Sequence, residues 1–306
     1  MVKKISIAFI GEALIELSLS PNIKGTAQIG IAGDTLNAAI YMRRNAPTPA
    51  CDIFYVTAFG TDPLSLYARA FIQQEHIDIS LIQSRPNHHI GLYAILNDEK
   101  GERDFIYWRH DSAARRLFDE NIESLFAQLQ KMDMIYLSAI SLAILPEDKR
   151  EQLFVFLTQF RKQGKQIVFD SNYRPALWSS RALARDVIMR AWRIADIALP
   201  SLTDEKMLFG ENNETEIIDR LRTAGVQFGV LKRGALGPQA IGWDDSSTTY
   251  PPATKIVDTT AAGDSFNGCF LAQLIAGKPP ATAAYKAHEL ACKLIGYQGA
   301  ILPANA

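Results

Sequence analysis

The chain has 306 residues, 48% of them hydrophobic and 21% charged, the balance of an ordinary globular protein with ample length for a core. Its 32 Lys and Arg face 33 Asp and Glu, a formal net charge of −1. This excludes a disordered chain, a coiled coil and a collagen-like fibre. It also lacks the basic excess of a protein that works on nucleic acid or an anionic membrane.

The N-terminal run MVKKISIAFIGE has a basic pair and a short apolar stretch that ends at Gly11 and Glu12. It predicts a buried first strand rather than a secretory leader. No apolar run nears the roughly 20 residues that span a bilayer. The cysteines Cys51, Cys269 and Cys292 are far apart and form no CxxC pair, so they read as reduced thiols and point to the cytoplasm.

Further strands are predicted at residues 53–57, 134–137, 166–169, 197–199 and 228–231. Helical patterns lie between them at 34–44, 64–75, 147–163, 182–192 and 216–223. Apolar strands alternating with amphipathic helices predict a three-layer α/β/α body around a mainly parallel sheet, with ligands at the carboxyl ends of the strands. Two strand-like stretches break the alternation, residues 12–18 and 91–109, the second carrying a hairpin signal at 97–101. They predict a small antiparallel β lid, contributed from about 12–31 and 90–109, beside a single domain covering 1–306.

The strongest chemical signal is VDTTAAGDSFNGCFLAQLIAG, residues 257–277. Apolar residues recur at helical spacing from Phe266, and Gly277 and Pro279 stop the helix, so it starts near Gly263 and Asp264. The small residues before it let backbone N–H groups approach an anion at a helix N-terminus. Asp264 alone reads as a helix cap. Beside a phosphate cradle, a carboxylate serves better as base for a hydroxyl about to be phosphorylated.

Residues 258–266 (DTTAAGDSF) resemble the C-terminal signature of the ribokinase-like, or phosphofructokinase-B type, carbohydrate kinases. Gly11-Glu12, the 33–37 segment GDTLN and the closing 298–300 QGA extend the resemblance along the chain. Within the family it is most similar to the 2-keto-3-deoxygluconate kinases, through residues 91–93, 107–109, 138–145 and 170–175. The resemblance implies an ATP-dependent sugar-acid kinase with Asp264 as general base and the 261–264 backbone as anion hole. It implies nucleotide contacts from Asn172, Ser201, Lys232, Gly234, Gly237, Ala261, Ala262, Gly263 and His288. Gly33, Asp34 and Asn37 would meet the sugar hydroxyls, and Tyr93, Tyr107, Arg109 and Arg174 the sugar acid and its carboxylate.

The family's Asn-x-x-Glu is replaced here by Ser201 and Asp204, which leaves Asp204 and Glu205 as candidate helpers of Mg²⁺. Asp258 would hold a monovalent cation such as K⁺. Many relatives have Gly where Ala32 stands. Competing readings are a kinase for a neutral sugar such as fructose or ribose, a kinase for 2-keto-3-deoxygalactonate, and a non-catalytic sugar sensor. A lid edge pairing with a second copy would give a homo-oligomer.

Overall fold

The computed structural model describes residues 4–19, 26–46, 50–97 and 103–303, so most of the expected 97–101 hairpin turn lies outside the described residues. The chain opens with β1 (Ile5–Ile10) and leaves the body for β2 (Leu14–Leu19) and β3 (Ala27–Ala32). It returns in α1 (Asp34–Asn45), then β4 (Cys51–Val56), the short β5 (Ala58–Phe59), α2 (Pro63–Gln74) and the short β6 (Gln83–Ser84). A second excursion follows as β7 (Gly91–Asn97) and β8 (Arg103–Trp108). The remaining body alternates α3 (Ile122–Leu129), β9 (Met134–Ser138), α4 (Ala139–Ala143), α5 (Glu147–Lys162), β10 (Gln166–Asp170), α6 (Arg181–Ile194) and β11 (Ile197–Leu199). It ends with α7 (Leu202–Phe209), α8 (Glu214–Ala224), β12 (Gly229–Leu231), β13 (Gln239–Ile241), α9 (Ala262–Ile275) and α10 (Pro280–Leu294).

Seven strands form the body sheet in the order β13-β12-β11-β10-β9-β1-β4, all parallel except the β12·β13 edge pair. Side chains alternate between its faces. Ala8, Ile10, Ile135, Leu137, Ile167 and Phe169 pack with α5 and α6, whereas Ile7, Phe9, Tyr136, Val168 and Val230 pack with α1 and α9. Burial on both faces is why these strands read as continuous apolar runs. Strand order reverses at β1, which runs to β4 on one side and borders β9 on the other. A crevice opens at the carboxyl ends beside that switch point.

The lid is a four-stranded sheet in the order β3-β2-β7-β8. Each pair within an excursion is antiparallel, and the excursions join through a parallel β2·β7 pair that sets Leu14 against Gly91 and Glu16 against Tyr93.

Asp62 caps α2 by accepting from the N–H of Leu64 and of Ser65, both at 3.1 Å, with Pro63 in the first turn. The α1·α9 contact is unusually close. A Cβ on Gly268 would sit 2.7 Å from Met42 N and nearer still to the Ala38 carbonyl oxygen. Gly268→Ala should therefore destabilise the fold by about 1–3 kcal/mol despite alanine's better helix propensity, because two backbones must separate. A denaturant titration checks this, and a midpoint at or above wild type would refute the close-packing account.

Candidate functional site

A cavity of about 910 Å³ lies between the lid and the carboxyl ends of the body strands. Its wall includes Gly33, Asp34, Asn37, Tyr93, Tyr107, Arg109, Asn172, Arg174, Ser201, Asp204, Lys232, Gly234, Gly237, Ala261, Ala262, Gly263, Asp264 and His288. Glu205 and Asp258, the other two candidates, stand off that wall.

At one end, Gly33 leads into α1. A Cβ there would lie 3.1 Å from Ala13 Cα and closer to the Glu12 carbonyl oxygen, so a side chain does not fit. Ala32 belongs to β3, where a Cβ is accommodated. The Asp34 carboxylate accepts from Ser138 Oγ and, at 2.8 Å, from Asn172 Nδ2. Asn172, expected among nucleotide contacts, thus gives its N–H to Asp34, expected at the sugar hydroxyls. Asn37 Nδ2 donates to Asp264 Oδ2 at 2.9 Å.

The lid contributes an aromatic ladder. Tyr93 stacks on its cross-strand partner Tyr107 at 5.6 Å, and Tyr107 on Phe105 at 6.4 Å. The Tyr93 hydroxyl donates to Glu16, and burial with that carboxylate pushes its pKa well up. Arg109 lies 5.8 Å over the Tyr107 ring and is ion-paired with buried Glu12. Arg174 is half exposed, donates to the Tyr173 carbonyl at 2.9 Å and stands 3.6 Å from Asp204.

The α9 start has the expected shape. Ala261 caps the helix at φ 58°, a left-handed conformation rare for a residue with a Cβ. First-turn amides have no i−4 carbonyl within their helix, and here they face the cavity with a positive dipole end. Lys232 Nζ would lie 3.6 Å from a Cβ on Gly263, so an ammonium borders the same spot. It donates to Asp170 Oδ1 at 2.8 Å and to Asn267 Oδ1 at 3.1 Å. Asn267 Nδ2 in turn donates to Asp170 Oδ2 at 2.8 Å and to the Tyr136 hydroxyl at 2.9 Å.

Asp34, Asp170 and Asp264 thus lie close enough to feel one another's charge, and Asp170 holds Lys232. Burial, followed by the charge of Asp34, pushes the Asp264 pKa up to about 8, against the pull of Asn37 and Lys232. Burial also raises Asp34 and Asp204.

At the other end, the chain after β12 turns through Gly234–Leu236, with Gly234 at φ 57° and Gly237 at φ 73°. His288 Nε2 bonds the Pro251 carbonyl at 2.7 Å, and the ring meets Tyr250 edge-on at 5.4 Å. Ser201 N donates to Ser171 Oγ at 2.8 Å. Glu205 is buried against Arg220 at 2.5 Å, and burial pushes its pKa up to about 7. It is one residue, about 100° of helix, from Asp204, which is why only Asp204 reaches the cavity. Asp258 accepts from Thr260 N at 3.0 Å and from Gly299 N at 2.6 Å, tying the loop before the anion hole to the C-terminal segment.

Asp170, Asn267 and Glu12 were missing from the sequence-based candidates. A polar residue on the otherwise apolar face of α9 was the available signal for Asn267. Asp170 ends a strand at its carboxyl end, where ligands gather in such sheets.

Because Asp264 ionises near pH 8 in the fold rather than near its ordinary 3.8, the stability it allows is complete below about pH 4 and is lost as pH rises towards 8. Asp264→Asn keeps an oxygen for Asn37 and removes the buried charge. It should raise Tm by several degrees at pH 8, with the gap narrowing towards pH 4. Thermal melts of both proteins across that range check this, and a gap independent of pH would refute it.

Comparison with known proteins accords with this geometry. A model of the pfkB family carbohydrate kinases matches residues 4–306. The chain is 41% identical over 307 residues to the 2-dehydro-3-deoxygluconokinase of Dickeya dadantii, with 98% of each chain covered. It is 40% identical over 312 residues to the protein of that name in Escherichia coli K12, covering 100% of this chain and 99% of the other. The solved 2-dehydro-3-deoxygluconokinase of Thermotoga maritima shares the fold with a TM-score of 0.81 at 17% identity, over 98% of this chain and 95% of that one. With a lid over a parallel sheet, an aspartate in the first turn of α9 and a family match along nearly the whole sequence, the chain belongs to the pfkB family of carbohydrate kinases.

Proposed function

We propose that this protein transfers the γ-phosphoryl group of ATP to the terminal hydroxyl of 2-keto-3-deoxygluconate, giving the 6-phosphate. The observation that carries the reading is the shared cavity. Asp264 and the first-turn amides of α9 face the same space as Asp34, Asn37 and two arginines, Arg109 and Arg174. The names of relatives about 40% identical over the full chain support the substrate. Arg109 and Arg174, already paired with Glu12 and Asp204, are the cationic groups of the cavity that a sugar-acid carboxylate would meet.

In this reading Asp34 and Asn37 orient sugar hydroxyls, and the aromatic ladder of the lid covers the ring. Asp264, ionised, takes the proton of the attacking hydroxyl as its oxygen bonds to phosphorus and the bond to the leaving ADP oxygen breaks. A base with a pKa near the working pH suits that transfer. The amides of Ala261, Ala262, Gly263 and Asp264, with Lys232, face the charge that builds on the phosphoryl oxygens. The nucleotide would extend past Ser201, Gly234 and Gly237 towards His288.

Mg²⁺ would neutralise the triphosphate. Among the described residues no group of three His, Cys, Asp or Glu is arranged to hold a metal, which fits an ion held by phosphates and water with Asp204 beside it. Asp258 steadies the loop at which K⁺ would act. Exposed Ile29, Ile106 and Trp108 support lid-to-lid pairing of two copies. Among the described residues no helix is long and apolar enough to cross a membrane, and the cytoplasm is the compartment we assign.

Two measurements test the reading. Asp264→Asn should bind the sugar acid and lose roughly 10²–10⁴ in kcat. Near-wild-type turnover would remove Asp264 from the chemistry. Arg174→Ala should lower kcat/KM for the sugar acid by roughly 10- to 100-fold, the worth of a charge-assisted hydrogen bond, while an analogue with the carboxylate reduced to an alcohol barely changes. Equal losses for both compounds would sink the sugar-acid assignment.

A further inference from the structure

We propose that Glu12 is the internal counter-ion of Arg109 and thereby sets how strongly the sugar end of the cavity prefers an anionic substrate over a neutral one. The inference rests on the sugar-acid reading above. Glu12 is 1% exposed and Arg109 9%, and both line the cavity. Arg109 Nη2 donates to Glu12 Oε2, and Ser112 Oγ donates to Glu12 Oε1. A guanidinium this far from water needs a local negative charge, and Glu12 supplies it. The neutralisation is incomplete in hydrogen bonds. Arg109 Nε is buried and has no partner among the described residues, so one donor of the fork is left over.

A ligand carboxylate held against the cavity face of Arg109 sits across a single guanidinium from Glu12. The two negative charges repel in a medium of low effective dielectric, and the arginine's attraction is partly cancelled. Glu12 thus holds Arg109 in place at the cost of acid affinity. Glu12 is also where the lid meets the body. A Cβ on Gly91 would lie 3.0 Å from Glu12 Oε1, and Gly33 packs on the Glu12 backbone. A purely structural post at this junction would affect acid and neutral ligands alike, which separates the two roles.

Glu12→Gln preserves the shape. Its Oε1 can accept from Arg109, and its Nε2 can donate to Ser112 Oγ. The experiment titrates the full-length protein with 2-keto-3-deoxygluconate and with its alcohol analogue, and compares the ratio of the two Kd values. Wild type should prefer the acid, and Glu12→Gln should widen that preference roughly tenfold. Should Glu12→Gln fold poorly, the Arg109→Met background gives the same answer. There the unpaired Glu12 repels the acid, and adding Glu12→Gln should recover acid affinity roughly tenfold without moving the alcohol. A preference that is unchanged or narrowed by Glu12→Gln, or no recovery in the double variant, overturns the counter-ion role. A wild type with no preference for the acid overturns the sugar-acid reading itself, and this inference with it.

Discussion

The site depends on how closely two helices approach. Gly268 lets the backbone of α9 lie against that of α1, and one turn before it Asp264 meets Asn37 at 2.9 Å. The N-terminal ends of both helices then point into one crevice. The carboxylates of Asp34 on α1 and of Asp264 in the first turn of α9 line one cavity, and Lys232, just after β12, lines it with them. If α9 shifted away, Asp264 would lose Asn37 and the two helix starts would no longer share the cavity.

That crowding has an energetic consequence. Burial and neighbouring charge raise the pKa of Asp34 and of Asp264, the latter to about 8, so ionising them costs the fold stability as pH rises. The neighbouring polar groups limit the cost. Asn267 and Tyr136 donate to Asp170 Oδ2 and Lys232 to its Oδ1, and Ser138 and Asn172 both donate to Asp34 Oδ2. The lid adds a second balanced pair, Glu12 and Arg109.

Much of this was legible in the sequence because it is local. Apolar strands buried on both faces announce a parallel sheet, and small residues before an amphipathic stretch announce the α9 start. What was hidden depends on convergence. Asp170 and Asn267 are 97 positions apart, and no periodicity brings them together. Nor does it reveal that Asn172 turns to Asp34, or that Glu205 turns away from the cavity to Arg220. Pro279 read as a stop signal, whereas it also caps α10, whose first residue is Pro280. The lid strands were visible, but the parallel β2·β7 pairing is set by where both excursions leave the body.

The lid's own apolar cluster is small. Leu14, Ala32, Tyr93, Ile95 and Ala300 form it, apart from the two large clusters that flank the body sheet. The lid also reaches into the body, because Ile15 of β2 and Ile31 of β3 are buried in the cluster that packs with α1 and α9. β8, by contrast, is an edge strand whose Phe105, Ile106, Tyr107 and Trp108 are exposed, so its amides should exchange hydrogen faster than those of β2. A ligand that bridges lid and body would slow that exchange by tying the exposed edge to the buried one.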